Sequence, residues 1–125
     1  IRTMVVRPSA VAGQFYPGNA DRLRKQVSDL LDNIAMPIKN IPKALIVPHA
    51  GYVYSGATAA AAFAALRDGA QTITRVVLIG PAHYVHVRGI AAPTVDAFET
   101  PLGRVPVDKS ALNAIAACLL SFRTI

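Results

Sequence analysis

The sequence predicts an α/β protein with an α/β/α layered arrangement around a mostly parallel or mixed sheet. Two continuous apolar runs, Ala44–Val47 and Val76–Ile79, are typical of strands that are buried on both faces. Alanine dominates residues 57–66 between them, which predicts a helix packed closely on the sheet, with Gly69 as its stop. Strand, helix and strand within about 36 residues form a βαβ unit, whose right-handed crossover makes the two strands parallel neighbours.

The segments before the first apolar run predict a loop followed by an amphipathic helix. Proline and glycine punctuate residues 5–18, which indicates an ordered loop. Asn19 is a suitable N-cap for the helix, and Asp21 is favourably placed in its first turn. We expect Pro37 to end this helix and residues 37–43 to form a linker. The apolar face repeats at helical spacing and consists of Leu23, Val27, Leu30, Leu31 and Ile34.

Shorter elements are predicted after the second apolar run. Ile90–Ala92 and Ala97–Thr100 have the composition of short strands. Pro101–Gly103 is typical of a turn, and Val105–Val107 of a short extended segment.

A last helix is expected from about residue 108 onward. Asp108 or Ser110 can cap its first turn. Cys118 on this helix is expected to be a small core residue rather than a ligand. The apolar face of the helix consists of Leu112, Ile115, Ala116 and Leu119.

Composition narrows the classes of function. The chain has 125 residues, of which 53% are hydrophobic and 16% charged, and this predicts one ordered domain over residues 1–125. No apolar run approaches the ~18 residues needed to cross a membrane, and the N-terminus lacks the apolar core of a signal peptide. The single cysteine excludes an internal disulfide framework and fits a reducing cytoplasm. The formal net charge is +6, but the basic residues are scattered without aromatic stacking residues, so nucleic acid is not the expected partner.

Histidines follow both apolar runs, in the segments Pro48-His49-Ala50-Gly51-Tyr52 and Gly80-Pro81-Ala82-His83. Ligands bind at the carboxyl ends of strands in open parallel sheets, and neighbouring strands lie only ~4.8 Å apart. Two imidazoles at this edge can therefore converge on one ion, and neutral imidazole suits iron, copper and zinc. The sequence predicts a metal site that includes His49 and His83.

The alternative is that each histidine is a hydrogen-bonded turn residue, because two histidines alone do not complete a usual site. Further residues that could reach the pocket are Tyr52, Tyr54, His86, Asp96 and Glu99. The two carboxylates lie downstream, and nothing in their spacing requires them to be ligands. The tyrosines could line a pocket or donate a hydrogen bond, or they could be packing residues.

Four ordered motifs resemble the Memo family, which in prokaryotes is labelled AmmeMemoRadiSam system protein B. They are the segment from Arg7 to Pro17, the signature-like Pro48-His49-Ala50-Gly51-Tyr52-Val53-Tyr54-Ser55-Gly56, the segment Gly80-Pro81-Ala82-His83, and Asp96-Ala97-Phe98-Glu99-Thr100-Pro101-Leu102-Gly103. The resemblance covers roughly residues 5 to 109. It implies an α/β fold like that of class III extradiol dioxygenases (LigB-like), in which two histidines and a carboxylate hold non-haem Fe(II). By motif, His49 and His83 match the two histidine ligands of the Memo family.

The resemblance also implies that part of the domain is missing. Memo proteins take their third ligand from a cysteine far toward the C-terminus; no segment here matches it, and Cys118 is not that residue. The expectation is an incomplete Memo-like domain with a remnant metal site, completed as a homo-oligomer or by a second chain.

Two other functions stay open at this point. One is a dioxygenase-like oxidoreductase, with the third ligand from a partner chain, Asp96 or Glu99 and with His86 or Tyr52 assisting proton transfer. The other is an interaction module that binds an acidic or phosphorylated peptide.

Overall fold

The computed structural model describes residues 2–35, 40–118 and 122–124, which fall into two compact units. The helical unit comprises Ala10–Val76, and the strand unit comprises Ile1–Ser9 together with Val77–Ile125. Helices occur together with parallel and antiparallel strands, which confirms the predicted α/β class and mixed sheet. Over the described ranges, we find no helix with the length and apolarity of a membrane span.

Helix α1, Ala20–Asp32, opens the regular structure of the helical unit. Its start confirms the predicted cap, because Oδ1 of Asn19 accepts a hydrogen bond from the amide of Arg22 at 3.0 Å. Leu23 on the apolar face is only 4% exposed, so this face forms the core of the unit. The helix ends before the predicted stop at Pro37, which lies outside the described residues.

Helix α2, Tyr52–Phe63, begins earlier than the predicted helix over residues 57–66. The amide of Tyr52 donates to the carbonyl of Phe15 at 2.8 Å, which satisfies one of the N–H groups that a helix start leaves unpaired. The helix continues as a 3₁₀ segment, Ala64–Gly69. Its first turn therefore lies before the predicted helix.

Two glycines permit close approaches in this unit. A Cβ atom at Gly56 of α2 would lie 3.1 Å from Cδ1 of Leu30. The absence of a side chain at Gly56 therefore allows α1 and α2 to lie this close together. A Cβ atom at Gly69 would overlap the side chain of Ile41. Gly69 is also the last residue of the 3₁₀ segment, which confirms it as the helix stop.

The strand unit contains short strands in two sheets. These are β1 (Val6–Arg7), β2 (Ile90–Ala92), β3 (Ala97–Thr100), β4 (Gly103–Pro106) and β5 (Phe122–Thr124). β1 pairs in parallel with β3, β3 pairs antiparallel with β4, and β2 pairs in parallel with β5. The predicted strands at Ile90–Ala92 and Ala97–Thr100 are confirmed.

The turn between β3 and β4 confirms the predicted Pro101–Gly103 turn. Oγ1 of Thr100 accepts from the amide of Leu102 at 3.2 Å and donates to the carbonyl of Gly103 at 2.9 Å. Gly103 has φ +131°, a conformation that other residues rarely adopt. Strand β4 therefore starts earlier than the predicted extended segment, directly at the end of the turn.

Strand β1 corrects the prediction that residues 5–18 form a loop throughout. The amide of Asp96 donates to the carbonyl of Val5 at 2.7 Å, and Val6 and Arg7 then pair with β3. This pairing joins residues about ninety positions apart, so the local pattern of prolines and glycines could not indicate it.

Helix α3, Lys109–Cys118, completes the strand unit. Asp108 is confirmed as its cap, because Oδ1 accepts from the amide of Ala111 at 2.9 Å. No described residue of α3 is fully buried, and Cys118 is exposed. The prediction of a core position for Cys118 is therefore wrong, because its helix lacks a buried face there.

The structure also contradicts the predicted strands at Ala44–Val47 and Val76–Ile79, and with them the βαβ unit. Neither run takes part in a β-ladder within the described residues. Ile46 is fully exposed, and Leu78 is 92% exposed. A strand needs a neighbouring strand to pair its backbone groups, and a strand buried on both faces also needs covering layers. The apolar pattern is present here without those partners.

We predict that Leu23→Ala lowers the free energy of unfolding by about 2–4 kcal/mol, since it removes a buried side chain and leaves a cavity. Leu102→Ala is the matched control, because Leu102 is 46% exposed in a turn and should lose far less. Urea titration monitored by circular dichroism measures both variants. Equal losses would show that α1 does not carry the core of its unit.

Candidate functional site

A cavity beside His49 and Tyr52 lies within the helical unit and has a volume of about 640 Å³. Apolar side chains of α1 and α2 form most of its walls. Its polar lining residues are Tyr16, His49, Tyr52, Ser55 and Arg67. The cavity therefore combines an apolar body with a few hydrogen-bonding groups, as ligand sites commonly do.

The tyrosines Tyr16 and Tyr52 form a pair at the cavity wall. Their ring centroids lie 5.7 Å apart with an interplanar angle of 43°. Burial, together with the neighbouring Tyr16 phenol, raises the pKa of Tyr52 above its ordinary value. Tyr52 therefore stays a protonated hydrogen-bond donor through the physiological pH range.

The segment that carries His49 is held by Ser55. The Ser55 hydroxyl is buried and donates to the carbonyl of Ala50 at 2.9 Å. His49 itself is exposed and lies among the residues that line the cavity. The structure thus places His49 where its ring meets both solvent and the cavity.

Two other predicted pocket residues lie away from this cavity. Tyr54 is 87% exposed and is not among its lining residues, because it lies on the outer face of α2. His83 and His86 belong to the strand unit and are both exposed, and the His83 ring lies 6.5 Å from that of Tyr84. The convergence of His49 with His83 on one ion stays a prediction.

Asp96, a candidate third ligand, is engaged in holding the N-terminal strand. Its carboxylate accepts from the amide of Val5 at 2.8 Å and lies 3.5 Å from Arg2 and 3.6 Å from Lys109. The Val5 hydrogen bond has the largest effect and lowers the pKa of Asp96. Burial has the next largest effect and raises it, and Arg2 and Lys109 lower it by smaller amounts. The ionised carboxylate is therefore stabilised by contacts within the strand unit.

Glu99, the other candidate carboxylate, lies on β3. Its side chain forms an exposed ion pair with Arg104 at 3.5 Å, and its carbonyl accepts from the Ser9 hydroxyl at 2.8 Å. Over the ranges that the structure describes, no group of three or more histidine, cysteine, aspartate or glutamate side chains could hold a metal ion.

The sequence interpretation missed two cavity residues, Tyr16 and Arg67. Tyr16 lies in the segment predicted to be a loop, and its pairing with Tyr52 joins residues 36 positions apart. Arg67 lines the cavity while its guanidinium contacts Asp32 at 2.9 Å. The helical repeat of Leu30 and Leu31 was the available signal for an apolar wall.

The sequence is similar to known proteins of one family. The sequence profile of the family described as Memo-like protein matches residues 7–122. A MEMO1 family protein of Aquifex aeolicus is 43% identical over 105 residues, which are 84% of this chain and 38% of that relative. A MEMO1 family protein of Nitrosopumilus maritimus is 35% identical over 117 residues, covering 90% and 42% of the two chains. The Protein memo-1 homolog of Caenorhabditis elegans is 42% identical over 102 residues, covering 82% and 28%. The chain thus spans between 28% and 42% of the length of these relatives.

We predict that Asp96→Asn lowers the stability of the strand unit at pH 7 and flattens its acid dependence. The folded pKa is depressed, so the contribution of Asp96 is present above its ordinary pKa of about 3.9 and is lost as pH falls through the lowered folded value. Thermal unfolding from pH 2 to pH 7 measures this. Glu99→Gln breaks only an exposed pair and should cost less than about 1 kcal/mol. An unchanged acid profile in Asp96→Asn would contradict the assignment.

Proposed function

The chain belongs to the Memo family, and we propose that it supplies two histidine ligands, His49 and His83, to a metal site. The observation that carries the proposal is that both imidazoles are exposed immediately beyond the two apolar runs. His49 follows Val47 by two residues, and His83 follows Ile79 by four. Imidazole nitrogen suits iron, copper or zinc. The resemblance of the two motifs to those of Memo proteins supports the choice of these two histidines.

The donor set fits such a metal in part. Two imidazoles are suitable ligands, but Asp96 and Glu99 already have partners within the strand unit. We therefore do not assign the third ligand to either carboxylate, and we derive no reaction step through the metal. Dioxygenase-like chemistry, acidic or phosphorylated peptide binding and a cytoplasmic location stay predictions.

We predict that His49→Ala and His83→Ala each weaken metal binding by more than the roughly 10–100-fold loss that follows removal of an outer-shell partner. The double variant should bind no metal above the background of the protein surface. Calorimetric titration with Zn²⁺, Cu²⁺ and anaerobic Fe²⁺, followed by elemental analysis, measures the affinity and the amount bound.

Arg88→Ala is the control, because it alters an exposed residue near His83 without removing an imidazole. His86→Ala tests the third histidine, and a loss there would add His86 to the site. Unchanged metal affinity in the double variant would contradict the proposal.

We further propose that the exposed apolar runs are the surface through which the chain forms homo-oligomers. The side chains of Val76–Ile79 are between 65% and 92% exposed, and the run carries no charge. Its backbone takes part in no described ladder. A strand from a second copy would both pair these backbone groups and cover the side chains.

We predict that the chain is a dimer or larger at micromolar concentration and that Leu78→Asp shifts it toward the monomer. A charge placed in a paired apolar strand is costly to bury. Val53→Asp is the matched control, since Val53 is equally exposed but lies on α2. Static light scattering over a dilution series measures the mass. A wild-type monomer that unfolds cooperatively would contradict this proposal.

A further inference from the structure

We propose that the cavity of the helical unit binds an uncharged, mainly apolar small molecule with one hydrogen-bond acceptor that faces Tyr16 and Tyr52. The inference goes beyond the metal site, because every lining residue belongs to the helical unit and His49 is the one proposed metal ligand among them. It is carried by the size, the charge and the placement of the polar groups of the cavity.

Size sets the class of ligand. The volume of about 640 Å³ falls within the range of about 300–1,000 Å³ that is usual for sites of drug-sized ligands. The space exists because α2 presents small side chains, Ala59 and Ala60, toward the cavity. Leu30 and Phe63 supply apolar walls from α1 and α2. An apolar molecule gains about 25 cal/mol for each Å² that it removes from water here.

The charged groups that line the cavity disfavour an ionic ligand. No carboxylate or lysine side chain lines the cavity in the described part of the chain. Its one guanidinium, that of Arg67, lies 2.9 Å from the Asp32 carboxylate. A charged ligand would therefore lose its hydration without gaining an unengaged counter-charge.

The polar groups fix the orientation of the ligand. The phenols of Tyr16 and Tyr52 lie on the same wall and can donate hydrogen bonds, and the raised pKa of Tyr52 keeps its phenol protonated. The hydroxyl of Ser55 is already bound to the carbonyl of Ala50. An acceptor such as a ketone oxygen therefore belongs at the tyrosine wall, and an aryl or alkyl group in the body of the cavity.

The test uses the full chain after chelator treatment, with 4-phenyl-2-butanone as the uncharged probe. 4-Phenylbutyrate is its charged counterpart, and butylbenzene is the counterpart that lacks the acceptor. Chemical-shift titration by NMR measures Kd and identifies the residues that respond. We expect the ketone to bind at least tenfold more tightly than the carboxylate, with shifts in α1 and α2.

Ala59→Leu fills the cavity and should raise the Kd of the ketone at least tenfold, whereas Ala61→Leu alters an exposed position of the same helix and should leave it unchanged. Tyr52→Phe keeps the ring and should weaken the ketone while sparing butylbenzene. Each variant is checked for a native circular-dichroism spectrum, and Ala60→Leu replaces Ala59→Leu if the latter does not fold.

Three outcomes overturn the inference: no binding of the ketone, equal binding of the carboxylate, or equal effects of Ala59→Leu and Ala61→Leu. Loss of binding as the protein self-associates would identify a second copy as the occupant and overturn it too. His83→Ala should retain the ketone site, so failure of the metal proposal and failure of this one give different results.

Discussion

Backbone hydrogen bonding between strands is the constraint on which the rest of this structure depends. Strand β1 is only two residues long, yet it forms because β3 offers backbone groups beside it. The runs Ala44–Val47 and Val76–Ile79 have a much stronger strand composition, but no described strand lies beside them. Ile46 and the side chains of Val76–Ile79 are therefore exposed, and so are the histidines that follow the two runs. Pairing, not propensity, decides which segments become sheet.

Asp96 was a candidate metal ligand from its motif, but its carboxylate stabilises the fold of the strand unit. It accepts a hydrogen bond from Val5 and is flanked by Arg2 and Lys109, which together favour its ionised form. Binding a metal would require these contacts to be shared or replaced. For this reason Asp96 is a poor candidate for the third ligand of the proposed site.

The features that could be predicted from the sequence are those fixed by neighbouring residues. The caps at Asn19 and Asp108 each depend on a hydrogen bond to an amide three positions away. The family was evident from its ordered motifs. Strand β1 and the Tyr16–Tyr52 pair join distant residues and leave no local trace. The failed strand at Val76–Ile79 shows the converse, a local pattern whose distant partner is not among the described residues.

The hydrogen bond from the Tyr52 amide to the Phe15 carbonyl has a dynamic consequence. It makes the N-terminal loop and the first turn of α2 mutually dependent, because the amide of a first helical residue has no partner within its own helix. Opening of the loop exposes that amide to hydrogen exchange and loosens the turn next to His49. The two segments then form one cooperative element, so a change at Phe15 alters the hydrogen-exchange protection of the α2 amides.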